Sequence, residues 1–170
     1  ALVSAGILLN LAAACTVHSL SSLPEECDSG LSCASQALGY FTSWMYGFEE
    51  GPDGEVTGLA YRNATIPKGR LLARRAIALS PSLSTAAIAQ STALLLDWHW
   101  DAAVAEAHRA VALNASDAAA YQWLSQVQTS LLDLPGALAS GEKAEALAPG
   151  DLGNVVSTSA VLYMQQDFAK

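Results

Sequence analysis

No lysine or arginine occurs between Ala1 and Tyr61. Over that stretch Glu25, Glu26, Asp28, Glu49, Glu50, Asp53 and Glu55 contribute a charge of −7. From Arg62 onward eight bases face nine acids, and the whole chain carries −8. A net acidic chain repels phosphates, which excludes nucleic acid as a partner. Only 14% of the 170 residues are charged and 52% are hydrophobic, a balance that excludes disorder. No apolar run reaches the roughly 20 residues of a membrane span. Cysteine and histidine are scarce, with three of each, and their spacing matches no zinc pattern.

Catalytic motifs are also lacking. There is no glycine-rich phosphate loop and no nucleophile elbow. His99 stands between Trp98 and Trp100 beside Asp101, and His108 has no neighbouring nucleophile, so both read as structural residues. The expectation is a protein that is not an enzyme, with no catalytic, cofactor or metal site.

What the chain has is alanine and leucine, which suit closely packed helices. Five of its eight bases cluster at Arg62, Lys68, Arg70, Arg74 and Arg75. They form either a solvated helix face or a surface complementary to the acidic lobe, within one chain or between copies. "CDSGLSC" either closes a short disulfide loop through Cys27 and Cys33, with Cys15 left over, or holds buried or free thiols. The first fifteen residues, "ALVSAGILLNLAAAC", resemble the apolar core of a signal peptide, and "LAAAC" resembles a lipoprotein cleavage site. The alternative is a buried helix. Membrane contact is expected only through a leader or a lipid anchor near Cys15.

A period of 34 residues organises the rest. Gly69, Ala103 and Ala137 keep that step, as do Ala76, Ala110 and Ala144, and Leu79, Leu113 and Leu147. Pro81, Ala115 and Pro149 follow it, and so do Trp100, Leu134 and Phe168. Small residues at helical spacing let backbones approach, and Asp97, Asp101, Asp117 and Asp151 are placed as helix caps or first-turn acids. Helices are expected near 3–16, 34–46, 67–79, 84–96, 100–113, 118–131, 135–147 and 152–165. "GFEEGPDGEVTGLAYRNATIPKG", with its glycines and two prolines, reads as a loop.

This period and pattern resemble the tetratricopeptide repeat (TPR) family, over about Lys68 to Lys170. "LLDWHWDAAVAEAHRAVALN" is similar to TPR arrays of bacterial regulators and cyclases, which carry Trp-x-Trp at the inter-helix turn. The resemblance implies an all-α fold, a right-handed α-solenoid of helix-turn-helix repeats. Residues 1–66 would form a divergent N-terminal region of apolar helix, cysteine-containing loop and acidic insertion. Residues 67–170 would form the array, with its last repeat incomplete and its last helix uncapped. The resemblance also places a peptide-binding groove on the first helix of each repeat. The matching positions are Thr85, Ile88, Thr92, Leu95 and Leu96, then Gln122, Gln126, Thr129 and Ser130, then Val156, Ala160, Tyr163 and Met164. None is charged, so the Lys, Arg and Asn set with which the family's chaperone-binding members grip a carboxylate is missing.

Two N-x-S/T sequons, at Asn63 and Asn114, fall in expected loops and are candidates for N-glycosylation. Together with a disulfide and a leader-like start, they point to a secreted, periplasmic or cell-surface glycoprotein. The cytoplasm is the alternative. The expected function is protein–protein interaction or self-assembly, through the groove, the N-terminal apolar segment and the open last helix. Head-to-tail oligomers or a filament are its strongest form. The alternative is a regulatory TPR segment of a larger bacterial signalling protein, of cyclase or transcription-regulator type.

Overall fold

Alanine decides how near these helices come to one another. In the computed structural model, which describes residues 27–46 and 58–168, Ala76, Ala103, Ala107, Ala110, Ala137 and Ala144 are all fully buried. Seven helices and no strand occur among the described residues, so the chain is all-α. They are α1 (Gly30–Tyr46), α2 (Gly58–Leu79), α3 (Ser84–Leu96), α4 (Trp100–Leu113), α5 (Ala118–Ser130), α6 (Leu134–Leu147) and α7 (Leu152–Phe168). The expected helix at 3–16 lies outside the described residues, as do Cys15 and most of the acidic lobe.

Packing is local in sequence. The main pairs are α1 on α2, α3 on α4, α5 on α6 and α6 on α7, with next-but-one contacts of α1 with α3, α3 with α5 and α5 with α7. The core accordingly runs along the chain in three clusters. One joins Phe41, Tyr40, Leu72 and Ala76 to α3. The second centres on Ile88, Trp123, Leu124 and Val127. The third is formed by Leu134, Ala137 and Val161.

The 34-residue step recurs in the backbone hydrogen bonds. The N–H groups of Ser80, Asn114 and Ala148 donate to the carbonyls of Ala76, Ala110 and Ala144. Those of Leu83, Asp117 and Asp151 donate to Ser80, Asn114 and Ala148. The turns after α3 and α5 match as well. His99 N–H reaches the Leu94 carbonyl at 3.0 Å, and Asp133 N–H reaches that of Gln128 at 2.9 Å. Trp98 and Leu132, 34 residues apart, both sit in the left-handed region, with φ of 62° and 63°. Each is the residue after the cap in a Schellman turn, a place where glycine is usual.

Caps explain where several helices begin. Asp117 accepts from the N–H of Ala119 at 3.0 Å, and Asp133 accepts from Gly136 at 3.1 Å. Asp151 accepts from Gly153 at 2.7 Å and from Asn154 at 3.3 Å. Each satisfies an N–H that the first helical turn leaves without an internal partner. Asp97 departs from expectation: it caps the end of α3, and the residue preceding α4 is His99, with no side-chain cap. Asp97 there faces the negative end of the α3 dipole, which its ion pair with Arg70 offsets.

The largest difference from the sequence reading is α2. The region from Gly58 to Gly69, expected to be loop, is helical straight through Pro67. A proline inside a helix removes one hydrogen bond and costs about 3 kcal/mol. Packing against α1 outweighs this. Thr65, Ile66 and Gly69 are buried, and a Cβ on Gly69 would lie 2.5 Å from the Phe41 ring. The expected domain boundary at 66/67 falls inside this helix. Its partner α1 starts at Gly30, four residues before the expected 34.

Candidate functional site

A buried polar seam holds the helix pairs in register. The Ser91 hydroxyl donates to the Ala103 carbonyl at 2.7 Å, and the Ser125 hydroxyl donates to that of Ala137, also at 2.7 Å. Donors and acceptors alike are 34 residues apart. Each bond ties the first helix of a pair to its second. Trp123 joins the seam through its indole N–H, which donates to the Ser91 hydroxyl at 2.8 Å. Between units, Ser84 donates to the cap residue Asp117 at 2.6 Å. Ser91, Ser125 and Ser159 form a 34-residue column in the sequence, but serine in a helix carries no signal separating a buried tie from a solvated hydroxyl.

The expected groove residues divide. Ile88 and Thr92 are buried among the helices, and the Thr92 hydroxyl turns back to the Ile88 carbonyl at 2.9 Å. Thr129 is likewise buried and bonds to the Ser125 carbonyl. These three belong to the packing and not to an accessible face, because the small residues around them bring the neighbouring helix close. Thr85, Leu95, Leu96, Gln122, Gln126, Val156, Ala160 and Met164 are half-buried, and Ser130 and Tyr163 are exposed. The accessible remainder is uncharged and is polar on α5 and apolar on α7.

The exposed apolar surface concentrates on α7. Leu152 (74%), Val155 (37%) and Leu162 (43%) recur on one face with Ser159 between them, and Tyr163 (55%) flanks it. The same register positions on α5 read differently. Ser125 and Thr129 are buried beneath α6, whereas their counterparts Ser159 and Tyr163 lie in the open. The face that α3 and α5 turn to a partner helix is the face that α7 presents to solvent. A second exposed feature is Trp98, which meets Trp100 edge-on with ring centroids 5.1 Å apart. Trp123, by contrast, is buried as a packing anchor. The leucine column also faces outward: Leu79 and Leu113 are exposed and Leu147 is half-buried.

Cys27 and Cys33 are joined as a disulfide, with Cα atoms 5.1 Å apart and both residues buried at the start of α1. The two sequons differ in setting. Asn114 caps the C-terminal end of α4 in an exposed stretch that continues through Ser116, and its side-chain oxygen accepts from the Ser116 N–H at 3.2 Å. Asn63 is exposed but sits inside α2 and not in a loop, with Thr65 of the same sequon buried. On α2, Lys68, Arg74 and Arg75 are exposed, flanking the exposed Leu71. Among the described residues no group of three or more His, Cys, Asp or Glu is placed to hold a metal, and no helix is long and apolar enough to cross a membrane.

Neither a protein-family model nor a curated protein sequence matches the chain.

Proposed function

We propose that this chain is a TPR-type interaction module, a right-handed α-solenoid of helix hairpins that associates with further copies of itself and has no catalytic role. The 34-residue recurrence of hydrogen bonds, left-handed turn residues and buried alanines supports the repeat reading. The observation that carries the assembly reading is the apolar face of α7, exposed at positions that are buried or half-buried on α3 and α5. Contiguous exposed apolar surface of this kind marks interaction sites. Pairing of this face with a different surface of a second copy is a heterologous contact that does not close, and it is this head-to-tail mode that extends to filaments. Electron microscopy and light scattering of the purified chain test this. Concentration-dependent oligomers are expected, and a monodisperse monomer at high concentration would sink the reading.

The buried Cys27–Cys33 disulfide supports an exported protein, since such bonds persist in oxidising compartments. In that setting Asn114 is the glycosylation site, and Asn63 is not, because the Asn63 sequon is folded into a helix with its threonine buried. Intact mass of the secreted chain is expected to show one glycan, lost in Asn114→Gln and retained in Asn63→Gln. Trp98, exposed at the turn beside Trp100, favours a second reading. In it the chain is the regulatory segment of a larger signalling protein and docks its output domain through that turn. Reduced cysteines and bare asparagines in the cell-derived protein would favour this second reading.

A further inference from the structure

α2, α4 and α6 are each the second helix of a pair, and the outward face of α2 departs from the other two. Leu71, Arg74 and Ala78 are exposed on α2, and the residues one and two repeats later are exposed as well. The Leu71 step holds Ala105 and Ala139, and the Ala78 step holds Ala112 and Ala146. The Arg74 step holds His108 and then Glu142. An exposed alanine surface with scattered charge is therefore the ordinary outward face of this repeat. On α2 a leucine 68% exposed replaces the alanine. It stands between exposed Lys68 and the exposed Arg74 and Arg75, with Leu79 exposed one turn beyond. The other side of the helix, with Leu72, Ala73 and Ala76, is the side buried in the cluster with α1 and α3. Gly58–Leu79 contains five bases and no acid, in a chain of net charge −8. Arg70 is held by Asp97. Arg74 and Arg75 have no ion pair and no hydrogen-bond partner among the described residues.

We infer that this face of α2 is a docking surface for an acidic segment of another protein, one in which carboxylates flank a bulky apolar side chain. Each part of the face selects a part of that ligand. The guanidinium groups of Arg74 and Arg75 present forked N–H donors whose geometry matches a carboxylate. Leu71 gains from being covered only where an apolar side chain meets it. The extent of the patch selects against broader anions. From Lys68 to Leu79 the face is about 17 Å long. Charges more than about 8 Å away are largely screened at physiological ionic strength. A single segment lying along α2 therefore meets the bases and little else. A membrane surface or a nucleic-acid duplex extends past α2 and meets the remainder of the chain, where sixteen acids stand against three bases. This surface is separate from the α7 face and does not depend on self-association.

The test is fluorescence anisotropy of the full 170-residue chain with a dye-labelled peptide in which glutamates flank a central leucine and phenylalanine. A peptide of about 12 residues spans about 18 Å as a helix and matches the face. Saturable binding that weakens as salt is raised is expected. Reversing both charges, Arg74→Glu with Arg75→Glu, is expected to weaken it about 10-fold or more. Leu71→Ser leaves the charge unchanged and is expected to weaken it about 5-fold. All three positions are exposed, so circular dichroism and melting of these variants are expected to match the parent. Lys143→Glu, an exposed reversal on α6, is expected to leave binding within about twofold. A parent chain that does not bind the peptide overturns the inference. So does full binding by Leu71→Ser, because charge alone then attracts the peptide. Tighter binding to vesicles of equimolar phosphatidylcholine and phosphatidylserine than to the peptide would make the face a lipid site instead. If the peptide binds only after Glu49, Glu50, Asp53 and Glu55 are replaced by their amides, the chain's own acidic segment is the occupant and the inference is wrong. It is equally wrong if the parent ignores the peptide and the Arg74 and Arg75 reversal abolishes self-association, because a second copy is then the occupant. Self-association through the α7 face is read separately, by ultracentrifugation of Leu162→Glu, and stands or falls on that result.

Discussion

The indole N–H of Trp123 donates to the hydroxyl of Ser91 across 2.8 Å, deep between α3 and α5. The same hydroxyl passes its own proton to the Ala103 carbonyl on α4, so one serine ties three helices. Ser91→Ala removes the acceptor and leaves a buried N–H unsatisfied, which costs about 1–3 kcal/mol. Ser125→Ala breaks only the bond to Ala137 and is expected to cost less, about 1 kcal/mol. Urea unfolding followed by tryptophan fluorescence reads both, and equal losses would contradict the role given to Trp123.

Ala110 is fully buried where α4 meets its neighbours, and Ala112 on the same helix is exposed. Ala110→Leu forces the helices apart and is expected to lower stability by about 1–3 kcal/mol. Ala112→Leu is expected to change it by less than about 0.5 kcal/mol. Thermal melts of the two variants should therefore separate by several degrees.

Gly69 lets α2 lie against the Phe41 ring. Gly69→Ala improves helix propensity by about 1 kcal/mol but drives a methyl into a fully buried phenyl. The expected net result is a loss of about 1–2 kcal/mol. Phe41→Leu costs stability alone and is expected to relieve part of the Gly69→Ala defect, a positive coupling that a double-mutant cycle measures. Strict additivity would mean the two residues do not meet.

Leu132 holds a left-handed backbone with its side chain mostly in solvent. That conformation costs an ordinary residue roughly 1–2 kcal/mol, part of which glycine returns in chain entropy. Leu132→Gly is expected to gain about 0.5–1 kcal/mol. Trp98→Gly relieves the same strain but loses the edge-on contact with Trp100, so its gain should be smaller. Denaturant midpoints that shift downward for Leu132→Gly would refute this account.

Reducing Cys27–Cys33 opens a loop of six-residue separation, and chain-entropy reasoning assigns the bond about 2 kcal/mol. Because both cysteines sit in the cluster with Ala34, Phe41 and Ala76, hydrogen exchange should rise first in α1 and α2 on reduction. Unchanged protection there would show that the packing alone holds this end.

The sequence by itself determined a great deal of this molecule. Alanine columns at a fixed step marked the contacts between helices, and the breaks at Pro81 and Pro149 fall where α2 gives way to α3 and α6 gives way to α7. Asp117 and Asp151 announced helix starts because a cap acts within one turn of chain. Tertiary structure alone decided the rest. Pro67 reads locally as a breaker, whereas in the structure the segment stays helical, with Ile66 buried and Gly69 close against the Phe41 ring of α1. Ile88 and Thr92 share a spacing with groove positions, yet the closeness of the next helix puts them inside. Ser125 and Ser159 are the same residue at the same step, and the presence of α6 over one leaves it buried while the other faces solvent. Local signals fix what a residue prefers within a few positions of chain, whereas burial depends on which helix arrives from elsewhere.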